Sequence, residues 1–242
     1  VESENGMEKI SSISNPKIKF WDKLKSKKGR EKEKLFLIEG IKLISEAIKA
    51  KYQIEDIVIE EDSEQLEIIQ RLLKDNKVNV PITIVSKPVI YKLTDTETPQ
   101  GVFAVLRKIE VTLENIMSKQ FILLLDEIQD PGNLGTIIRS ADASGVEAII
   151  LGKGTVDLYN SKVLRSAMGS IFHLEIIEAD LDKIIPMLQQ NQFKIVGSSP
   201  YAEDSYFDID LTGKSAILIG NEARGLAKAR TTVVNQMVSI PI

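Results

Sequence analysis

The sequence predicts an α/β protein in two parts: a C-terminal parallel sheet flanked by helices, and a smaller N-terminal α/β domain. Three observations predict it. The stretch Phe121 to Leu151 reads as apolar run, polar loop, amphipathic helix and second apolar run. A unit of the same kind, Ala216 to Leu226, lies near the end. Between and around them, short near-continuous apolar runs alternate with helical patterns, as in a parallel sheet covered on both faces.

The first hundred residues alternate helix and strand. Asn15-Pro16 signals a helix start, and the helix is expected to run to about Lys28. Leu35 to Ile38 reads as a strand, Gly40 to Ala50 as a helix, Ile54 to Ile59 as a strand and Ser63 to Asp75 as a helix. Ile82 to Val85 is a short strand, Pro88 to Leu93 a short helix and Val102 to Leu106 a strand. Residues 7–106 thus form one domain, the polar stretch 107–120 reads as a linker, and 121–242 forms the second domain.

In that second domain strands are expected at Phe121–Leu125, Ala148–Leu151, Phe172–Ile177, Phe193–Gly197, Ala216–Ile219 and Val238–Ile240. Helices are expected near 134–144, 161–169, 181–191 and 226–235. The first of these has apolar residues at Leu134, Ile137, Ile138 and Ala141, and Gly145 sits where a helix end favours positive φ.

Composition narrows the function. There is no Cys and a single His, so thiolate chemistry and a structural zinc site are not expected, and no metal is. No apolar run is long enough for a membrane helix, and nothing early resembles a signal peptide, which points to the cytoplasm. Met7 reads as a natural start, with Val1 to Gly6 an appended remnant. The net charge is −4, yet Lys9 to Lys34 carries ten cations and three anions, a local +7 that leaves −11 elsewhere. Such a block suits phosphates; its plain alternative is a solvated helix face.

Candidate chemistry sits in the two polar loops, where open α/β sheets place ligands. Asn133 reads as a helix N-cap or as a polar group aimed into a site. Arg139 reads either as a surface ion pair with Asp142 or as a phosphate clamp, for which a planar, permanently charged guanidinium is suited. Glu222 sits in a turn after a buried strand. Lys162 and Arg165 share a helix face, as a second RNA contact or a solvated surface. His173 reads as structural and Trp21 as packing rather than base stacking. No Gly-rich phosphate loop is present, against ATP or a nicotinamide.

Asp130-Pro131, Asn133, Gly135 and Arg139 together resemble the first motif of the SpoU (TrmH-type) RNA ribose methyltransferases of the SPOUT superfamily. Ile219-Gly220-Asn221-Glu222 with Gly225 is similar to the second, and Lys162, Arg165 and Gly169 resemble family positions. Ile13 to Gly40 looks like the small substrate-binding domain that many members carry. The family's third motif, a Ser-Leu-Asn segment after an Ile-Pro strand, is not in the sequence, which ends at Ile242.

The resemblance implies a trefoil-knot type sheet and transfer of a methyl group from S-adenosylmethionine to a ribose 2′-OH of ribosomal or transfer RNA. It implies Arg139, Asn133 and Glu222 as catalytic residues, with a phosphate oxygen or Glu222 taking the proton. Gly220, Asn221 and Ile240 are implied for the cofactor, and topology adds the loop Ser198, Ser199 and Pro200. Lys17, Lys19, Lys25, Lys27, Lys28, Arg30, Lys162 and Arg165 are the expected RNA contacts. A homodimer is implied, with the Arg139 site completed near the subunit interface. An RNA-binding protein without catalysis is the competing expectation; a nucleotide-dependent enzyme on a doubly wound sheet is a further one.

Overall fold

The computed structural model describes residues 7 to 241, so the reading of Val1 to Gly6 lies outside the described residues. The chain begins with β1 (Glu8–Ile10), α1 (Pro16–Lys23), α2 (Lys27–Glu33), β2 (Leu35–Glu39), α3 (Ile41–Lys49) and β3 (Ile54–Glu60). It continues through α4 (Gln65–Asp75), β4 (Ile82–Val85), α5 (Lys87–Leu93), β5 (Val102–Arg107) and α6 (Leu113–Met117). Then come β6 (Phe121–Leu125), α7 (Pro131–Ala143), β7 (Ala148–Leu151), α8 (Ser161–Ala167), β8 (Glu175–Glu178), α9 (Leu181–Gln190) and β9 (Lys194–Ser198). The chain closes with β10 (Asp204–Ser205), β11 (Ser215–Ile219), α10 (Lys228–Thr231) and β12 (Gln236–Ser239).

Two compact units result. One takes the chain to Ile109 together with Leu158–Phe172; the other takes Glu110–Asp157 and His173 onward. The first has a mixed sheet in the order β1-β4-β3-β5-β2, with β5 antiparallel to both neighbours. Ile18 and Trp21 of α1 and Val89 and Ile90 of α5 pack on Val58, Phe103 and Val105 of this sheet. Trp21 is buried there, which settles it as a packing residue.

The second unit has a seven-stranded sheet in the order β10-β12-β9-β11-β6-β7-β8, every pairing parallel. Its core sets Leu124, Ile150, Ile195 and Leu218 of the sheet against Ile184 and Leu188 of α9. Removing any one of these side chains to Ala would cost ~2–5 kcal/mol. The chain builds β6, β7 and β8 outward on one side, then crosses to β9 on the other, with β11 filling the gap beside β6. The carboxyl ends of β6 and β11, in register at Leu125 and Ile219, therefore lie side by side at the point where the strand order reverses.

Several expectations are corrected. The first helix is two: Ser26 caps α2 through its hydroxyl, and Gly29 lies against the Lys23 carbonyl, where no Cβ fits. The linker stretch contains α6, closed by a Thr112–Asn115 capping box. Residues 170–172 form a 3₁₀ turn, so the expected strand starts only at Glu175. The expected long helix over 226–235 is the single turn α10. The short edge strands β1 and β10 carry too few apolar residues to show in the pattern. α8 belongs to the first unit, although it lies in sequence between strands of the second. Among the described residues no helix is long and apolar enough to cross a membrane.

Candidate functional site

The loop after β6 is shaped before α7 begins. Asp126 N donates to Ile219 O at 2.8 Å, prolonging the β6–β11 pairing, and Glu127 then takes a left-handed conformation, φ +58°. Asp130, not Asn133, is the N-cap of α7: its carboxylate accepts from Asn133 N at 2.8 Å, with Pro131 in the first turn. This corrects the N-cap reading of Asn133 and frees its amide to act elsewhere. α7 buries Leu134, Gly135, Ile138 and Ala141, and Gly145 follows it at φ +77°.

The loop after β11 is built by Asn221. Its side chain accepts from Ala223 N and Arg224 N at 3.0 and 3.1 Å and donates to Glu127 O at 2.9 Å. Asn221 and Gly225 exchange backbone hydrogen bonds of 3.1 and 2.8 Å, and Gly220 packs under Gly225, where a Cβ would lie 2.5 Å from the Gly225 carbonyl. Asn221 is thus buried and spends its amide on loop geometry.

The two loops meet through Glu222. Its carboxylate accepts from Asn133 Nδ2 at 3.2 Å and, weakly, from Asp130 N at 3.3 Å and Gln129 N at 3.4 Å. Burial would raise the Glu222 carboxyl, but its own backbone amide, the Asn133 side chain and the amides of Asp130 and Gln129 hold it below the ordinary glutamate value. A second link joins Arg224 to Glu127 at 2.7 Å.

Beside these loops lies a cleft of about 550 Å³. Ser198, Ser199 and Pro200 line one part, Gly220, Asn221 and Glu222 another, with Ile240 also on its wall. All six expected cofactor residues therefore share one cleft. Its size is that of a cofactor site, and it combines the apolar Ile219, Leu226 and Ile240 with a few polar side chains and the small residues Gly220, Ala223 and Gly225, as a small-molecule site does. The residues fit S-adenosylmethionine on these grounds.

The structure also separates residues. Asn133 reaches the cleft only through Glu222, and neither Asn133 nor Arg139 lines it. Arg139 stands six residues beyond Asn133 on α7, ~9 Å along the helix axis at 1.5 Å per residue. It is exposed and makes no ion pair or side-chain hydrogen bond among the described residues. The ion pair expected between Arg139 and Asp142 is absent, because Asp142 instead holds His173 Nδ1 at 3.0 Å.

The basic block divides. Lys17 is bound to Asp56 at 2.7 Å and to Glu8 at 2.8 Å and donates to Thr83, while Arg30 is 6% exposed, its Nη1 on the carbonyls of Leu24 and Lys25. Both side chains are thus engaged within the fold, Lys17 at its ammonium and Arg30 at Nη1. Lys25 lies near Asp22 and Asp95 and donates to Lys92 O, and Lys27 pairs with Glu31. Lys19, Lys28 and Lys162 are exposed, and Arg165 is half-buried.

Three groups at the site were not legible in the sequence. Arg230 donates from Nε to Asp126 at 3.2 Å and from Nη1 to Asp182, tying the segment that walls the cleft to the ends of β6 and α9. Glu127 and Arg224 form the bridge above, and Tyr201 stands exposed at the cleft. The partners of Arg224 and Arg230 are between 48 and 104 residues away, so no local spacing announces these ion pairs.

Residues 120–242 match the model of the SpoU rRNA Methylase family, and residues 15–104 match an MRM3-like substrate binding domain. The chain is 35% identical over 236 residues to the 23S rRNA (guanosine(2553)-2′-O)-methyltransferase RlmP of Bacillus subtilis, covering 98% of this chain and 91% of that one. A solved structure of an RNA 2′-O ribose methyltransferase superposes with a TM-score of 0.80 at 33% identity, over 97% of this chain and 90% of the other. The AdoMet-bound rRNA methyltransferase from Sinorhizobium meliloti does so at 0.84 and 29% identity, over 98% and 89%.

Proposed function

This chain belongs to the SpoU rRNA Methylase family, and from that premise we propose that its cleft holds S-adenosylmethionine while Asn133, Glu222 and Arg139 arrange a ribose of ribosomal RNA. It is an RNA 2′-O-ribose methyltransferase of α/β SPOUT fold. The observation that carries the site assignment is the Asn133–Glu222 contact, which joins the two motif loops beside the cleft.

When bound, S-adenosylmethionine supplies an electrophilic methyl carbon on a good leaving group. The chain's own task is to position the hydroxyl and exclude water. The Gly220–Gly225 turn and the Ser198–Pro200 loop, which both line the cleft, would hold the cofactor. Glu222, held as an anion by surrounding amides, is a poor proton acceptor, so its role is to orient Asn133, whose amide faces the ribose. Arg139 stays protonated and would clamp the adjacent phosphate, whose oxygen would take the proton of the 2′-OH. Lys19, Lys27, Lys28, Lys162 and Arg165 supply electrostatic grip on the RNA.

Because Arg139 does not line its own cleft, we assign it to the cleft of a second copy in a homodimer. The setting is the cytoplasm. Ribose-methylated nucleosides of ribosomal and transfer RNA, from cells with and without the gene, test the activity by mass spectrometry; loss of one 2′-O-methyl nucleotide from ribosomal RNA is expected, and unchanged ribosomal RNA sinks the substrate assignment. Mixing Arg139→Ala with Gly220→Ala protein tests the dimer. Recovered activity is expected, since one heterodimer site then has both intact parts; no recovery places Arg139 in its own subunit's site.

A further inference from the structure

The first unit contains a cavity that methyl transfer does not use. Its volume is about 70 Å³. One water needs ~10–15 Å³ of such space, so the cavity admits about five waters, close to the bulk of one nucleobase. Leu24, Leu37, Leu43, Leu93 and Phe103 make apolar walls. Lys25, Arg30 and Arg165 bring positive charge, and Glu39 and Asp95 bring carboxylates.

These charged groups are not equally occupied. Arg30 Nη1 is on two backbone carbonyls. Glu39 accepts from Thr94 Oγ1 at 2.8 Å and from Gln100 N at 3.0 Å. Asp95 meets Lys25 only at 3.7 Å, too long for a hydrogen bond. Arg165, on α8, is half-buried and makes no ion pair or side-chain hydrogen bond among the described residues. A half-buried guanidinium without an anion is unfavourable, and its fork matches a phosphate. The segment bearing it is seated closely: Gly169, at φ +100°, lies so near α3 that a Cβ would be 2.9 Å from Glu46 Cβ.

We propose that this cavity holds one unstacked nucleotide of the RNA substrate, its base between the apolar walls, its phosphate on Arg165 and an N–H edge on Asp95. The assignment rests on the RNA methylation reading. Bare phosphate would leave the leucines and Phe103 unused, and an apolar ligand would leave Arg165 without an anion; a nucleotide satisfies both. Proteins that read single-stranded RNA take splayed-out bases in this manner.

The test is calorimetric titration of the full chain with each nucleoside 5′-monophosphate, at saturating S-adenosylmethionine so that the cleft of the second unit is filled. Weak, millimolar binding of at least one nucleotide is expected, with inorganic phosphate about tenfold weaker, since one good polar or apolar contact is worth about that factor. Arg165→Gln, and separately Ser161→Trp at the cavity wall, should each weaken nucleotide binding by about tenfold or more while leaving S-adenosylmethionine affinity unchanged. No nucleotide binding, equal binding by wild type and both variants, or phosphate binding as tight as nucleotide overturns the proposal. Absence of S-adenosylmethionine binding would count against the methylation reading instead, and the same comparison of wild type with the two variants, run without it, would still decide the cavity.

Discussion

Asn133 Nδ2 donates to the Glu222 carboxylate at 3.2 Å, across 89 residues of sequence, and this contact closes the two motif loops into one site. The carboxylate takes hydrogen bonds from three residues of the neighbouring loop, so it acts as the counter-anion around which that loop folds.

Glu222→Gln should therefore lower methyl transfer by about tenfold or more, because a neutral amide accepts through one oxygen only. The pH dependence has a definite sign. A carboxyl depressed in the folded protein contributes above its ordinary value of 4.5 and loses that contribution as pH falls through the lower folded value. The charge of Glu222 should thus persist to below pH 4.5, read by the carboxyl resonance in an NMR titration. A titration at or above the ordinary value would contradict the network.

Arg139→Ala should reduce methyl transfer by ~10²-fold or more, as expected for losing a charged group that acts on the reacting nucleotide. Cofactor affinity should stay within about twofold, since Arg139 is assigned to the RNA phosphate and not to the cofactor. Calorimetry with S-adenosylmethionine and a methyl-transfer assay separate the two; parallel loss of both would contradict the role.

Within the basic block, stability and RNA affinity should separate. Lys17→Ala leaves Asp56, whose side chain is 8% exposed, without its ion-pair partner. The expected loss is ~2 kcal/mol in a denaturant melt, below the ~3–5 for a fully buried pair because Lys17 is a third exposed. Burial would lower the Lys17 amine, but Asp56 and Glu8 hold it above its ordinary value of 10.5, so its contribution is full below that pH and fades as pH rises past the higher folded value. Lys19→Ala and Lys28→Ala should leave the melt unchanged and each reduce the salt slope of RNA binding by ~0.7–0.9, one phosphate's worth. A destabilised Lys28→Ala, or a Lys17→Ala protein of normal stability, would reverse this division.

Gly169→Ala should destabilise the first unit by ~1–3 kcal/mol, because its Cβ would press on Glu46 and its φ of +100° is strained for any L side chain. Hydrogen exchange should show the loss at α3 and α8. Normal protection there would mean that the 158–172 segment is not seated as described.

The sequence by itself determined the element order and the chemistry at the loops. Strands such as Phe121–Leu125 and Ala148–Leu151 are buried on both faces, so uninterrupted apolar runs mark their ends to the residue. The Asn-, Gly- and Arg-bearing loops were legible because turn and cap residues act within a few positions of themselves. Only the tertiary structure decided where charge is spent. Whether Lys17 faces water or Asp56, whether Asp142 holds Arg139 or His173, and to which unit α8 belongs depend on partners tens of residues away. The same holds for the cleft, whose lining comes from the segments after three different strands that only the strand order β12-β9-β11 brings to one edge. Local propensity carries no information about such contacts, because their energy arises only once the chain has closed on itself.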